Sequence, residues 1–266
     1  MRIAMGIEYD GLRYMGWQRQ HHGPTVQAEV ERAVSQIGNE SIDVVCAGRT
    51  DTGVHALGQV VHFDSNAQRS QRDWLFGTNS ALADDVSVSW VREVPPGFHA
   101  RFSATSRRYL YLILNRTVRS AYCGKRVFVV NQALDERSMR DAAGHLLGEH
   151  DFSAFRSAGC QSRSPIREVS SLEVSRIDDW IIIDVRANAF LQHMVRNIAG
   201  LLITVGRGDL CSDAARTIRR SADRQAAPFA APAAGLTLVS VHYPAEFGLP
   251  EPAATVSLPL PTQFIS

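Results

Sequence analysis

The stretch Val44-Val45-Cys46-Ala47-Gly48-Arg49-Thr50-Asp51-Thr52-Gly53-Val54-His55-Ala56-Leu57-Gly58-Gln59-Val60-Val61-His62-Phe63 places a carboxylate inside a tight, glycine-flanked loop. Strand-like runs lie on either side, Val44-Val45-Cys46 leading in and Gln59 to Phe63 leading out. Gly48 and Gly53 permit positive φ and the close approach of another backbone. A short loop anchored in a sheet holds Asp51 at a fixed place, as a reacting group requires. In an isolated Asp-x-Gly the carboxylate usually just caps its own turn.

Working outward, the halves on either side repeat one plan. Residues 2–9 alternate as a strand. Thr25 caps a helix whose apolar positions Val26, Val30, Ala33, Val34 and Ile37 recur at helical spacing, and Gly38 ends it. Strands are predicted at 42–47 and 58–64, a helix at 70–82 and a strand at 86–94. Pro95-Pro96-Gly97 breaks any element and is the linker candidate. Strands at 106–114 and 127–131 follow, then a helix capped by Asp135 with Met139, Ala142, Ala143, Leu146 and Leu147 on one face. Strands at 168–177 and 181–188, helices at 190–206 and 212–222, and a strand at 235–242 complete the pattern. The fold class is therefore α+β, with two split β-α-β-β-α-β units of the ferredoxin-like kind. The boundaries fall at 1–97 and 98–243, and residues 244–266, with five prolines and no basic residue, are expected to be disordered.

Composition narrows the function classes. With 266 residues, 45% of them hydrophobic, the chain can bury roughly three quarters of its unfolded surface, as one large domain or two ordinary ones. Met1-Arg2-Ile3-Ala4-Met5 enters directly into a strand, which predicts no signal peptide. The apolar run Ile198 to Val205 is too short for a bilayer. Cys46, Cys123, Cys160 and Cys211 form no Cys-x-x-Cys pair, which points to a reducing, cytoplasmic setting without zinc. Net charge is only +1, yet 27 of the 28 basic residues are arginines, a bias that GC-rich coding also produces. Their placement is more telling. Arg101, Arg107, Arg108, Arg116 and Arg119 fall in an acid-free run from Phe98 to Ser120, and Arg156, Arg163 and Arg167 fall in another. Arginine makes planar, bidentate contacts to phosphate, so these runs with interleaved aromatics suggest RNA as the partner.

Several further motifs occur in a fixed order. They are Tyr9-Asp10-Gly11, Gly16-Trp17-Gln18-Arg19-Gln20, Phe98-His99-Ala100-Arg101-Phe102, Arg107-Arg108-Tyr109-Leu110-Tyr111, Gly148-Glu149-His150-Asp151-Phe152, Cys160-Gln161-Ser162-Arg163, and Asn188 through Asn197 with the core His193-Met194-Val195-Arg196. Together with Gly48-Arg49-Thr50-Asp51-Thr52-Gly53-Val54-His55-Ala56, this series resembles the tRNA pseudouridine synthase A family from Arg2 to about Tyr243. Thr52 departs from the pattern: many members carry alanine there, and the threonine adds a hydroxyl beside the carboxylate.

The resemblance implies a pseudouridine synthase fold, in which two antiparallel sheets join across a central cleft. It implies an isomerase that converts uridine to pseudouridine at positions 38, 39 and 40 of the tRNA anticodon arm, working as a homodimer without cofactor or metal. Asp51 matches the family's catalytic aspartate. Tyr109 and Tyr111 share a strand face and read equally as core tyrosines; the resemblance makes Tyr109 the residue stacking on the target uracil. Arg196 lies on a helix apolar on all sides, so it needs an acid or an exposed helix end; the resemblance makes Asp51 its partner. Arg49, Arg69, Phe98, His99, Ala100, Arg101, Phe102, Gly159, Cys160, Gln161, Ser162 and Arg163 fall where the family contacts tRNA. Two rivals stand beside this reading. A non-catalytic RNA-binding module would use the same basic surfaces. An aspartate-nucleophile phosphatase would want a second Asp two residues on, where this chain has Gly53. His55, His62 and Asp64 could be imagined as metal ligands, but hydrogen-bonded structural histidines fit the sequence better.

Overall fold

The computed structural model describes residues 1–252. Ten strands form one sheet: β1 (Arg2–Tyr9), β2 (Val45–Cys46), β3 (His55–Asp64), β4 (Val86–Val94), β5 (Ser106–Asn115), β6 (Phe128–Val130), β7 (Gly148–Asp151), β8 (Ile166–Ile177), β9 (Trp180–Ala187) and β10 (Leu236–His242). Helices α1 (Val26–Gly38), α2 (Gln71–Ala81), α3 (Glu136–Gly144), α4 (Met194–Gly206) and α5 (Ala214–Ser221) connect them.

The strand order is β4-β1-β3-β10-β5-β9-β8-β7, with β2 on β3 and β6 on β5. The first half reads β4-β1-β3-β2 and the second β10-β5-β9-β8, so the same split unit occurs twice. Each of those units pairs antiparallel, but the seam between them does not. There β10 runs parallel to β3, through Thr237 against His55 and Leu238 against Ala56. The last strand of the described residues thus lies in the middle of the sheet, and one apolar core runs through both halves.

Local chemistry explains most element ends. Thr25 Oγ1 accepts the Ala28 amide at the start of α1, and Asn39 closes the helix at φ 52° in the left-handed region. Ser70 and Asp73 form a reciprocal capping box on α2. On β5, Tyr109, Tyr111 and Ile113 join the main core, while Leu110, Leu112 and Leu114 pack on Cys123, Val127, Trp180 and Val239. Covering on both faces is why that strand reads as an unbroken apolar run.

Several boundaries differ from the sequence reading. Only Val45–Cys46 of the 42–47 segment is laddered, whereas β3 starts at His55, three residues early. Helix α4 begins at Met194, because residues 190–193 form the turn that delivers it. The polar edge strand β7 lacks an alternating apolar signal and was invisible in the pattern. The start of the segment expected to be disordered is packed: Phe247 sits 5.2 Å, ring to ring, from buried Phe98, and Leu249 lies against the core. The rest of that segment, 253–266, lies outside the described residues.

Candidate active site

The Asp51 loop joins β2 to β3 and is held by bonds from three directions. The Tyr9 hydroxyl meets Thr50 Oγ1 at 2.7 Å, the Trp17 amide donates to the Thr50 carbonyl at 3.0 Å, and buried Gln59 donates Nε2 to the Gly48 carbonyl at 2.6 Å. Val54 N–H closes the turn onto the Asp51 carbonyl at 3.1 Å, with Gly53 at φ 78°. Gly16, at φ 90°, packs so closely beneath that a Cβ would lie 2.7 Å from the Thr50 carbonyl oxygen. That contact gives Gly16-Trp17 its meaning: the motif is a brace for the carboxylate loop.

Opposite stands α4. Arg196 donates Nε to the Ala231 carbonyl at 2.8 Å, which orients the guanidinium, and its Nη1 lies 3.3 Å from Asp51 Oδ2. His193 Nε2 lies 3.3 Å from the same oxygen. Tyr109 projects from β5 with its ring edge-on to Phe190, centroids 5.1 Å apart. Burial pushes the Tyr109 phenol well above its usual range; the Arg107 cation opposes this and the Asp51 charge adds to it. Asp51, Tyr109, Arg196 and His193 share the wall of a cleft of about 870 Å³ between the halves.

Arg107 is the structural counterpart. It is buried and, among the described residues, meets no carboxylate; instead Nη1 donates to the Ala104 and Asn188 carbonyls and Nη2 to those of Ala47 and Arg101, at 2.6 to 3.2 Å. One guanidinium thereby ties the chain entering the Asp51 loop to the crossover before β5 and to the turn before α4. Burial lowers its proton affinity, yet a guanidinium stays charged.

The remaining expected residues divide. Arg49, Arg101, Gly159, Cys160, Gln161 and Ser162 line the cleft, with Arg49 and Arg101 exposed at its rim. Phe98 and Ala100 are fully buried in the core instead, where Phe98 meets Tyr243 and Phe247. His99 stacks on exposed Phe102 at 4.3 Å, and neither lines the cleft. Arg163 is exposed outside the cleft lining, and Arg69 donates Nε to the Ile37 carbonyl before α2. Tyr111 is a core residue whose hydroxyl donates to the Pro232 carbonyl at 2.8 Å. Thr52 is exposed. His62 Nδ1 accepts the Ala100 amide and His55 Nδ1 accepts that of Gly11, so both histidines serve the fold. Sequence reasoning missed His193, Arg107, Gln59 and the Tyr9–Thr50 pair. Only His193 carried a signal, its place three residues before Arg196.

A sequence model of the tRNA pseudouridine synthase family matches residues 5–103 and 142–244. The chain belongs to this family. The tRNA pseudouridine synthase A of Photobacterium profundum is 52% identical over 260 residues, which is 97% of this chain and all of that protein. That of Coxiella burnetii is 50% identical over 249 residues, 94% of this chain and 95% of its own. Among solved structures, an archaeal box H/ACA complex of Nop10 and Cbf5 aligns over 76% of this chain and 44% of its own, with a TM-score of 0.35 and 16% identity. Family membership and the doubled split sheet together identify the fold as that of pseudouridine synthases.

Proposed function

We propose that this protein carries out its family's isomerisation, uridine to pseudouridine, at positions 38, 39 and 40 of the tRNA anticodon arm, with Asp51 as the catalytic carboxylate. The observation that carries the reading is the meeting of Asp51 with Arg196, 145 residues away in sequence, in a cleft walled by Tyr109.

The reaction breaks the bond between C1′ of the ribose and N1 of uracil, turns the base, and rejoins it through C5. It needs an ionised carboxylate, a water-poor pocket and a hold on the detached base. Attack on the ribose, attack on the base, or removal of a ribose proton all call for Asp51 in its charged form, and Arg196 Nη1 donates to its Oδ2 from 3.3 Å. Tyr109 presents an aromatic face for the flipped uracil. Stacking of that kind is worth about 1–3 kcal/mol per base, comparable with the cost of extruding a nucleotide. Arg49 and Arg101 at the rim are placed to take phosphates, and reaching three neighbouring positions calls for recognition of shape and backbone. In this reading two copies hold one tRNA between them, in the cytoplasm.

Incubating the protein with an unmodified tRNA transcript, then mapping pseudouridine by carbodiimide adduct formation, tests the reading. Stops confined to positions 38–40 are expected, in excess chelator as well as in magnesium. Modification elsewhere overturns the assigned positions, and a folded protein that leaves every uridine unchanged overturns the activity.

A further inference from the structure

His193 faces the oxygen of Asp51 that also faces Arg196, with Nε2 at 3.3 Å from Oδ2. Its backbone sits at φ 63°, in the left-handed region that side chains other than glycine seldom adopt, at the N-terminal cap of buried α4. Strain of this kind persists only where the surroundings impose it, and it gathers at functional sites. The ring is one-third exposed and lines the cleft. With Nε2 the ring atom near the carboxylate, a tautomer protonated there leaves Nδ1 as an acceptor.

The chemistry of the isomerisation leaves a proton to be moved. Once C5 of uracil has bonded to C1′, that carbon carries both the sugar and its original hydrogen. Restoring the ring requires the C5–H pair to become the C5=C6 bond. The C6=N1 pair then shifts to N1, which takes up a proton. No electrons are gained or lost: one proton leaves C5 and one arrives at N1. Of the neighbouring groups, Arg196 only donates. The Tyr109 phenol is already protonated and burial makes it hold that proton, while burial lifts the Cys46 thiol to about 11. An imidazole both accepts and releases a proton near neutrality.

We infer that His193 is a further catalytic residue of this reaction, taking the proton from C5 of the re-attached base and returning it at N1. The inference rests on the uridine-to-pseudouridine reading above.

The test uses tRNA transcripts made with uridine or with 5-deuteriouridine. His193→Asn keeps a residue that tolerates the left-handed backbone and an N–H donor for Asp51, but it cannot carry a proton. Its kcat is expected to fall by about 100-fold or more, within the range of general acid–base catalysis, with KM for tRNA little changed. A C5 deuterium isotope effect on kcat larger than that of the wild-type protein is expected as well. His193→Gly, which relieves the backbone strain, is expected to regain turnover when free imidazole is added. A His193→Asn protein as fast as wild type overturns the inference. So does a slow one whose isotope effect matches wild type and whose glycine counterpart ignores imidazole, since that pattern marks a positioning residue alone. Wild-type protein that makes no pseudouridine on any tRNA instead sinks the functional reading, and this step with it.

Discussion

The two halves of the sheet share a strand order yet present their cleft-lining groups in opposite ways. The first half offers Asp51 from an irregular loop between β2 and β3, held by backbone and side-chain bonds from Trp17, Tyr9 and Gln59. The second offers Tyr109 and Arg196 from regular elements, a strand covered on both faces and a helix buried almost all round. A short carboxylate needs its backbone carried to the right spot, so it sits on a loop that other segments brace. A long arginine or a tyrosine can reach out from a helix or strand that packs for its own reasons. The difference implies that faults near Asp51 act on chemistry through the loop, whereas faults near Arg107 act on how the halves meet.

The widest separation between binding and turnover is expected at Asp51. Asp51→Ala is predicted to lose at least about 10⁴-fold in kcat, while filter binding of tRNA stays close to wild type. A comparable loss of affinity would make Asp51 a binding group and erase the contrast.

Arg107→Met is expected to lower unfolding free energy by about 3 kcal/mol, because four carbonyls, that of Ala47 fully buried and the rest partly so, lose their donor at once. Urea melts of the variant and wild type check this. A melt within 1 kcal/mol of wild type, an order-of-magnitude margin taken as roughly the scatter of such effects, would mean that water replaces the guanidinium and the halves do not depend on it.

A smaller effect is predicted for Gly16→Ala, about 1–3 kcal/mol from the unfavourable φ and the crowding against Thr50. Here kcat should drop more than stability alone explains, since the brace is aimed at the carboxylate loop. An unchanged kcat would detach the Gly16 segment from catalysis.

The smallest effect is a pH dependence at His62. Burial, then the neighbouring His99 and Arg2, depress its pKa to about 4. The folded state therefore takes a proton less readily than the unfolded chain. Its contribution is present in full above about pH 6.5 and is lost as pH falls toward about 4. Protonation at Nδ1 would also forfeit the Ala100 amide bond. His62→Gln should flatten the decline in melting temperature over that window. An equally steep decline would assign the acid sensitivity to other groups.

Much of the fold is legible in the amino-acid sequence. Thr25 and Asp135 mark helix starts through cap chemistry, and alternation marks β1. The pairing of Asp51 with a loop motif needs only nearest-neighbour chemistry along the chain. Other features left no such trace. The short strand β7 is polar, so periodicity is silent there. Phe98 and Ala100 sit in a motif that suggests contact with RNA, yet their apolar side chains belong to the core.

The order of apolar and polar residues, with its caps and glycines, was enough to fix two split α+β units, the loop that carries Asp51 and the all-round burial of α4. Those properties are local, because each depends on residues a few positions apart. Tertiary packing alone decided that β10 inserts parallel to β3, that Arg107 grips four carbonyls, and that His193 and Arg196 close on one oxygen of Asp51. The Arg107 contacts join segments up to 81 residues apart and the others join segments more than a hundred apart, and no pattern along the chain records which burial a distant strand will complete.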